Sequence, residues 1–150
     1  MKDNIYSKGN QKKVPSNYFT GPASIKDVSK ILKTPEQKVY HVTFKNGAKT
    51  KLHFHDGGQL LMVTAGKGDL VFFRRFGSSK SQFKIKQTKK IPLRVGDAAY
   101  IPAKILHTHG SSDKKQTFSH IAINSFPAKN REPKTVWFES DFRSNVTGIL

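Results

Sequence analysis

Residues 47–66 read GAKTKLHFHDGGQLLMVTAG, and the run from His53 to Gln59 decides what can be built on it. Side chains on a strand alternate between its two faces with period two. His53 and His55 therefore point to one face, while Leu52 and Phe54 point away from it, toward another barrel face or an interface. Gln59, four residues on, can complete one side of a metal site, and His107 can close it from another strand. Imidazole nitrogen suits divalent first-row metals, and a carboxamide oxygen adds a neutral ligand. The candidate metal ligands are thus His53, His55, Gln59 and His107. Four neutral ligands leave the +2 charge of a bound ion uncompensated. Such a site attracts anions and lowers the pKa of bound water.

Outward from this stretch the pattern stays β. Tyr40, Val42 and Phe44 alternate with His41 and Thr43, and residues 45–47 make a turn. Strands follow at residues 51–55, 59–64 and 69–76, separated by glycines. Residues 97–102 approach another turn, and residues 118–126 form a further strand. Residues 19–32 supply an edge strand with a connecting turn, punctuated by Gly21 and Pro22. Residues 77–90 are a Ser/Lys/Gln-rich excursion in which Phe83 and Ile85 alternate with lysines, as in a two-stranded flap. Residues 134–142 fit a terminal strand or a short helix. No long apolar stripe of helical period interrupts this pattern. The expected class is all-β, a double-stranded β-helix of the jelly-roll type.

A second stretch, residues 96–110, reads GDAAYIPAKILHTHG. Together the two stretches resemble the paired signature motifs of the cupin superfamily. Two positions depart from that pattern: Gln59 stands where Glu is usual, and Lys104 stands where Gly is usual. Further matches at Phe19 to Gly21, Val42 to Phe44, Ser119 to Asn124 and Val136 to Trp137 narrow the resemblance. They are similar to the small single-domain cupins that include bacterial manganese-dependent hydroxynitrile lyases, over residues 18–140. That subgroup also carries Gln at the position of Gln59. The resemblance implies a divalent ion, Mn(II) first, with Fe(II), Ni(II) and Zn(II) as alternatives because ligand type selects metals weakly.

His120 and Asn124 share strand parity with Phe118 and Ala122, so all four face one way. The resemblance places His120 in the pocket as the first candidate general base, with His109 second. A hydrogen-bonded core role for His120, and a turn role for His109 beside Gly110, are the competing assignments. The same resemblance puts Tyr40 and Val42 at the cavity mouth and Asn124 in the substrate pocket. His41, of opposite parity, is expected to be exposed or at a subunit contact.

The chain has 150 residues, no cysteine, and 27 Lys and Arg against 10 Asp and Glu, giving a net charge of +17. That length suits one domain at residues 17–150, preceded by a mobile basic tail at residues 1–16. The absence of thiols removes disulfide and thiolate chemistry. No apolar run approaches the ~20 residues of a membrane span, and no secretory signal is seen, so a cytoplasmic location is expected. The basic residues are scattered and carry no nucleic-acid motif, which argues for a solvated surface rather than a dedicated nucleic-acid reader. No two carboxylates pair for glycosidase chemistry, and no hydrolytic triad assembles. The resemblance implies a metal-dependent lyase acting on a small organic molecule, with C–C cleavage like that of a hydroxynitrile lyase. A dioxygenase or isomerase on the same ligands, and a non-enzymatic ligand-binding module, are the alternatives. The resemblance also implies a homodimer, or a higher homo-oligomer, joined through edge strands.

Overall fold

The computed structural model describes residues 1–150. In chain order the strands are β1 (Ala23–Asp27), β2 (Gln37–Phe44), β3 (Leu52–His55), β4 (Gln59–Ala65), β5 (Lys67–Phe76), β6 (Phe83–Arg94), β7 (Ala98–Ile101), β8 (Leu106–Ser111), β9 (Phe118–Ser125), β10 (Thr135–Ser140) and β11 (Asn145–Ile149). A 3-10 turn at Ser16–Tyr18 and one helical turn, α1 (Ser29–Leu32), are the remaining elements. Five strands form one antiparallel sheet in the order β1-β2-β9-β4-β7. The other six close on themselves as β10-β11-β6-β5-β8-β3, with β3 returning to pair with β10. The jelly-roll expectation is met.

Alternation explains why the closed sheet needs two cores. One face packs against the five-stranded sheet around Val42, Phe44, Leu61, Leu70, Leu93, Ile101 and Phe118. The opposite face encloses a second cluster of Leu52, Phe73, Phe83, Ile85, Leu106, Phe138 and Val146. Every strand of the ring contributes to this cluster, so rolling the sheet buries what would otherwise be an exposed apolar face. Each such side chain is worth roughly 1.5–3 kcal/mol when removed from water. Leu52 is therefore completely buried while its neighbour His53 faces the first core.

The excursion at residues 77–90 is the outer part of a long hairpin. β5 and β6 pair from Lys67 with Arg94 out to Phe76 with Lys84. Its root is structural, since Phe83 and Ile85 belong to the second core. Residues 134–142 resolve to β10. The final strand, β11, was not expected; its Val146 is the signal, because it fills the second core from a short and otherwise polar segment. Lys104 adopts φ 64°, the left-handed conformation that glycine takes freely. Its N–H donates to the His55 carbonyl at 2.7 Å, tying the turn before His107 to the end of β3.

Two expectations are corrected. Residues 1–16 are not a free tail in the structure. Lys12 N donates to Ile25 O and Asp27 N donates to Asn10 O, each at 2.8 Å, which lays this segment along the edge of β1. Farther out, the nearly buried Lys26 ammonium pairs with Asp3 at 3.3 Å and donates to the Ser7 carbonyl at 2.9 Å. His41 is likewise neither exposed nor free. Its ring meets Thr64 Oγ1 at 2.9 Å and the Ile5 carbonyl at 3.1 Å, because the docked segment covers that face of β2.

Candidate metal centre

β3 and β8 bring the histidines together. His53 and His107 are register partners, with ring centroids 4.2 Å apart, and His55 follows on the same face of β3. One nitrogen from each of His53, His55 and His107 lies within 4.8 Å of the others. Gln59 enters from the opposite sheet as the first residue of β4. The candidate site therefore spans the two sheets, three histidines on one and Gln59 on the other.

What aims these side chains is the partner of their second polar atom. His53 Nδ1 meets the Lys51 carbonyl at 2.9 Å, and His107 Nδ1 meets the Ile105 carbonyl at 2.8 Å. A carbonyl only accepts, so both Nδ1 atoms carry the proton and both Nε2 atoms present lone pairs. His55 Nδ1 meets Thr135 Oγ1 at 2.8 Å, and Gln59 Nε2 donates to Asn124 Oδ1 at 2.7 Å. His55 Nε2, His107 Nε2 and Gln59 Oε1 are left buried with no hydrogen-bond partner. Buried polar atoms are rarely orphaned, and three converging from different strands fit a cation held in common.

Burial also keeps the ligands neutral. It lowers His55 to about 4 and His107 to about 3. His53 is pushed well below its ordinary value by burial first and by the neighbouring His107 second. No carboxylate stands among these groups, so an ion here would keep its charge.

The cavity beside the ligands has a volume of about 270 Å³. Tyr40, Val42 and Asn124 line it, together with His53, His55, Gln59 and His109. His109 and His120 are linked, Nδ1 of the first lying 3.0 Å from Nε2 of the second. They do not occupy equivalent places. His109 reaches the cavity wall, whereas His120 is fully buried behind it against Phe44 and Phe118. Burial lowers His120 to about 3 and carries His109 well below its ordinary value.

Several lining residues escaped sequence reasoning. Trp137 stacks on His53 at 4.2 Å, and Tyr18 stacks on its other side at 4.5 Å. A lone tryptophan sharing strand parity with Thr135 was a usable signal once β10 was placed beside β3. Lys12 and Val14 come from the docked N-terminal segment and carried no signal at all.

A jelly roll with three buried histidines that could hold a metal ion has the architecture of a cupin. Residues 15–146 match the family described as Cupin, and the chain belongs to that family. It is 29% identical over 114 residues to an (R)-mandelonitrile lyase of Granulicella tundricola, covering 74% of each chain. Among solved structures it resembles a cupin-like protein from Thermotoga maritima, with a TM-score of 0.63, 29% identity, and 92% and 90% of the two chains covered. The fold is also that of Bacillus subtilis oxalate decarboxylase, with a TM-score of 0.56 and 18% identity over 77% of this chain and 27% of that one. No helix is long and apolar enough to cross a membrane.

Proposed function

We propose that this cupin is a metal-dependent lyase that cleaves a small organic molecule, in the manner of a hydroxynitrile lyase. The observation that carries the reading is the orphaned set of His55 Nε2, His107 Nε2 and Gln59 Oε1 beside a cavity-lining histidine. The likeness to an (R)-mandelonitrile lyase supports the reaction class. His53, His55, Gln59 and His107 would hold a divalent ion, Mn(II) first, which supplies Lewis-acid polarisation of a substrate oxygen.

The chain's own residues do the rest. His109 is the cavity-facing base: its Nδ1 is engaged by His120, which leaves Nε2 as the nitrogen free to accept a proton. His120 is a positioning residue, fixing the tautomer and orientation of His109 from behind. For a cyanohydrin, His109 takes the hydroxyl proton as the carbon–carbon bond breaks to give the aldehyde, then returns it to the departing cyanide. Tyr40, Val42 and Ala122 wall the organic part and exclude water. Asn124 holds Gln59 through its oxygen and keeps its amide N–H groups for the cavity.

Elemental analysis of purified protein, repeated on His53→Ala, combined with aldehyde release from aromatic and aliphatic cyanohydrins, tests this. Stoichiometric metal lost in the variant, with aldehyde formed by the wild type, is the expected result. Metal retained at wild-type level in His53→Ala refutes the site. Iron with oxygen uptake on a phenolic substrate would move the protein to the oxygen-activating class.

We also propose that two copies pair through β7. The other edge of the five-stranded sheet, β1, is covered by residues 10–12, while β7 pairs only with β4, leaves its outer edge unpaired and exposes Tyr100. Light scattering should return twice the 16.9 kDa chain mass; a monomer at micromolar concentration refutes the pairing.

A further inference from the structure

The cavity contains one charged side chain that the reaction above does not use. Lys12 lies at the wall, and no aspartate or glutamate joins it among the lining residues. Its ammonium donates to the Tyr40 hydroxyl at 3.0 Å and lies 4.5 Å from the centre of the same ring. Four lysines are paired with acids: Lys26 with Asp3, Lys38 with Glu132, Lys51 with Glu139 and Lys90 with Asp69. Lys12, like the remaining lysines, has no such partner, but it alone lies at this cavity.

The Lys12 side chain is solvent-exposed, and its backbone is held in place. Lys12 N donates to Ile25 O, and Gln11 makes an isolated bridge with Lys26, so the backbone is tied to the edge of β1. An ammonium has three donors and the tyrosine hydroxyl occupies one of them. The hydroxyl accepts from Lys12, so its own proton is free to be given to a further acceptor. Lysine and tyrosine together thus offer a positively charged donor group at the cavity. The groups on the metal side are neutral, so Lys12 is the one formal charge among the lining residues. A neutral cyanohydrin makes no use of this charge.

We propose that the substrates of this site are small organic acids, and that Lys12, with Tyr40, is the residue pair that selects the carboxylate. The proposal rests on the reading of the cavity as a substrate site but adds a substrate class to it. The carboxylate accepts from Lys12 Nζ and Tyr40 Oη, while the rest of the molecule extends along Val42, Ile25 and Trp137 toward the histidines. The net charge of +17 draws anions to the protein and so favours the same class.

The test compares benzoate with benzamide, which match in shape and differ in charge. Binding is followed through Trp137, the single tryptophan, on protein as purified and after chelator treatment at pH 8. The wild type is expected to bind benzoate at least tenfold more tightly than benzamide in both states. In Lys12→Met and Lys12→Gln that preference should vanish, with benzamide affinity and metal content unchanged. Equal affinities in the wild type, or a preference that survives both substitutions, overturn the proposal. A preference lost on chelation alone places the carboxylate on the metal and also overturns it. Metal content is measured separately, so a Lys12-dependent preference in protein that never holds metal would sink the metal-lyase reading and leave this one standing.

Discussion

Stripping the metal and lowering the pH should unfold this protein far earlier than an ordinary domain. Three buried histidines titrate low in the folded chain: His55 at about 4, and His107 and His120 at about 3. In the unfolded chain each returns to about 6.5. The folded pKa lies below the unfolded one, so below pH 6.5 the unfolded chain binds more protons and stability falls as pH falls. The loss continues until the folded values near 3–4 are reached. At pH 5 each histidine forfeits roughly 2 kcal/mol, so these three together remove about 6 kcal/mol. His53 and His109 shift in the same direction and add to it. Domains of this size have about 5–15 kcal/mol in total.

Urea titrations followed by far-UV circular dichroism at pH 7.5, 6 and 5 read this directly. With slopes of about 1–3 kcal/mol per molar urea, the midpoint of the metal-free protein should drop by about 2 M or more between the first and last. Metal-loaded protein should resist to lower pH, because the ion competes with protons for the same nitrogens. A metal-free midpoint at pH 5 equal to that at pH 7.5 would show that these histidines are not buried neutral. Trp137 stacks on His53, so its fluorescence should report the protonation of the site in the same titration.

Other perturbations probe single links. Thr135→Val leaves His55 Nδ1 buried without an acceptor, and metal affinity should fall by about 10–100-fold with the fold intact by circular dichroism. Leu52→Ala empties part of the second core, and urea unfolding should report a loss of about 2–5 kcal/mol although neighbouring His53 is untouched. Lys104→Gly removes the steric cost of a left-handed lysine, about 1–2 kcal/mol, and returns some of it as chain entropy. A net gain of about 0.5–1 kcal/mol in the thermal or urea midpoint is expected; a loss would mean that the lysine side chain is itself holding the turn.

Strand parity made the centre legible in the sequence. The two-residue spacing of His53 and His55 has one consequence on any strand, and the inward set of Phe118, His120, Ala122 and Asn124 follows from the same rule. The destination of Leu52 and Phe54 was legible only as a direction away from the metal. That they enter a second core depends on six strands closing into a ring, which is a property of pairing and not of any one segment. The rank of His109 and His120 was illegible for a similar reason. Parity says that both face inward, but only the packing of β8 against β9 places one at the cavity and the other behind it.

Residue types and spacing alone therefore determined the β class and the shared face of His53 and His55, because these follow from local periodicity, while the candidate ligand set also drew on the resemblance to a known family. The tertiary structure decided which nitrogen each histidine offers, since the anchors are the Lys51 and Ile105 carbonyls and a threonine 80 residues from His55. It also turned an apparent tail into a wall of the cavity. Lys12 has no periodic or motif signal; its meaning arises where a distant edge strand accepts its backbone and Tyr40 accepts its charge.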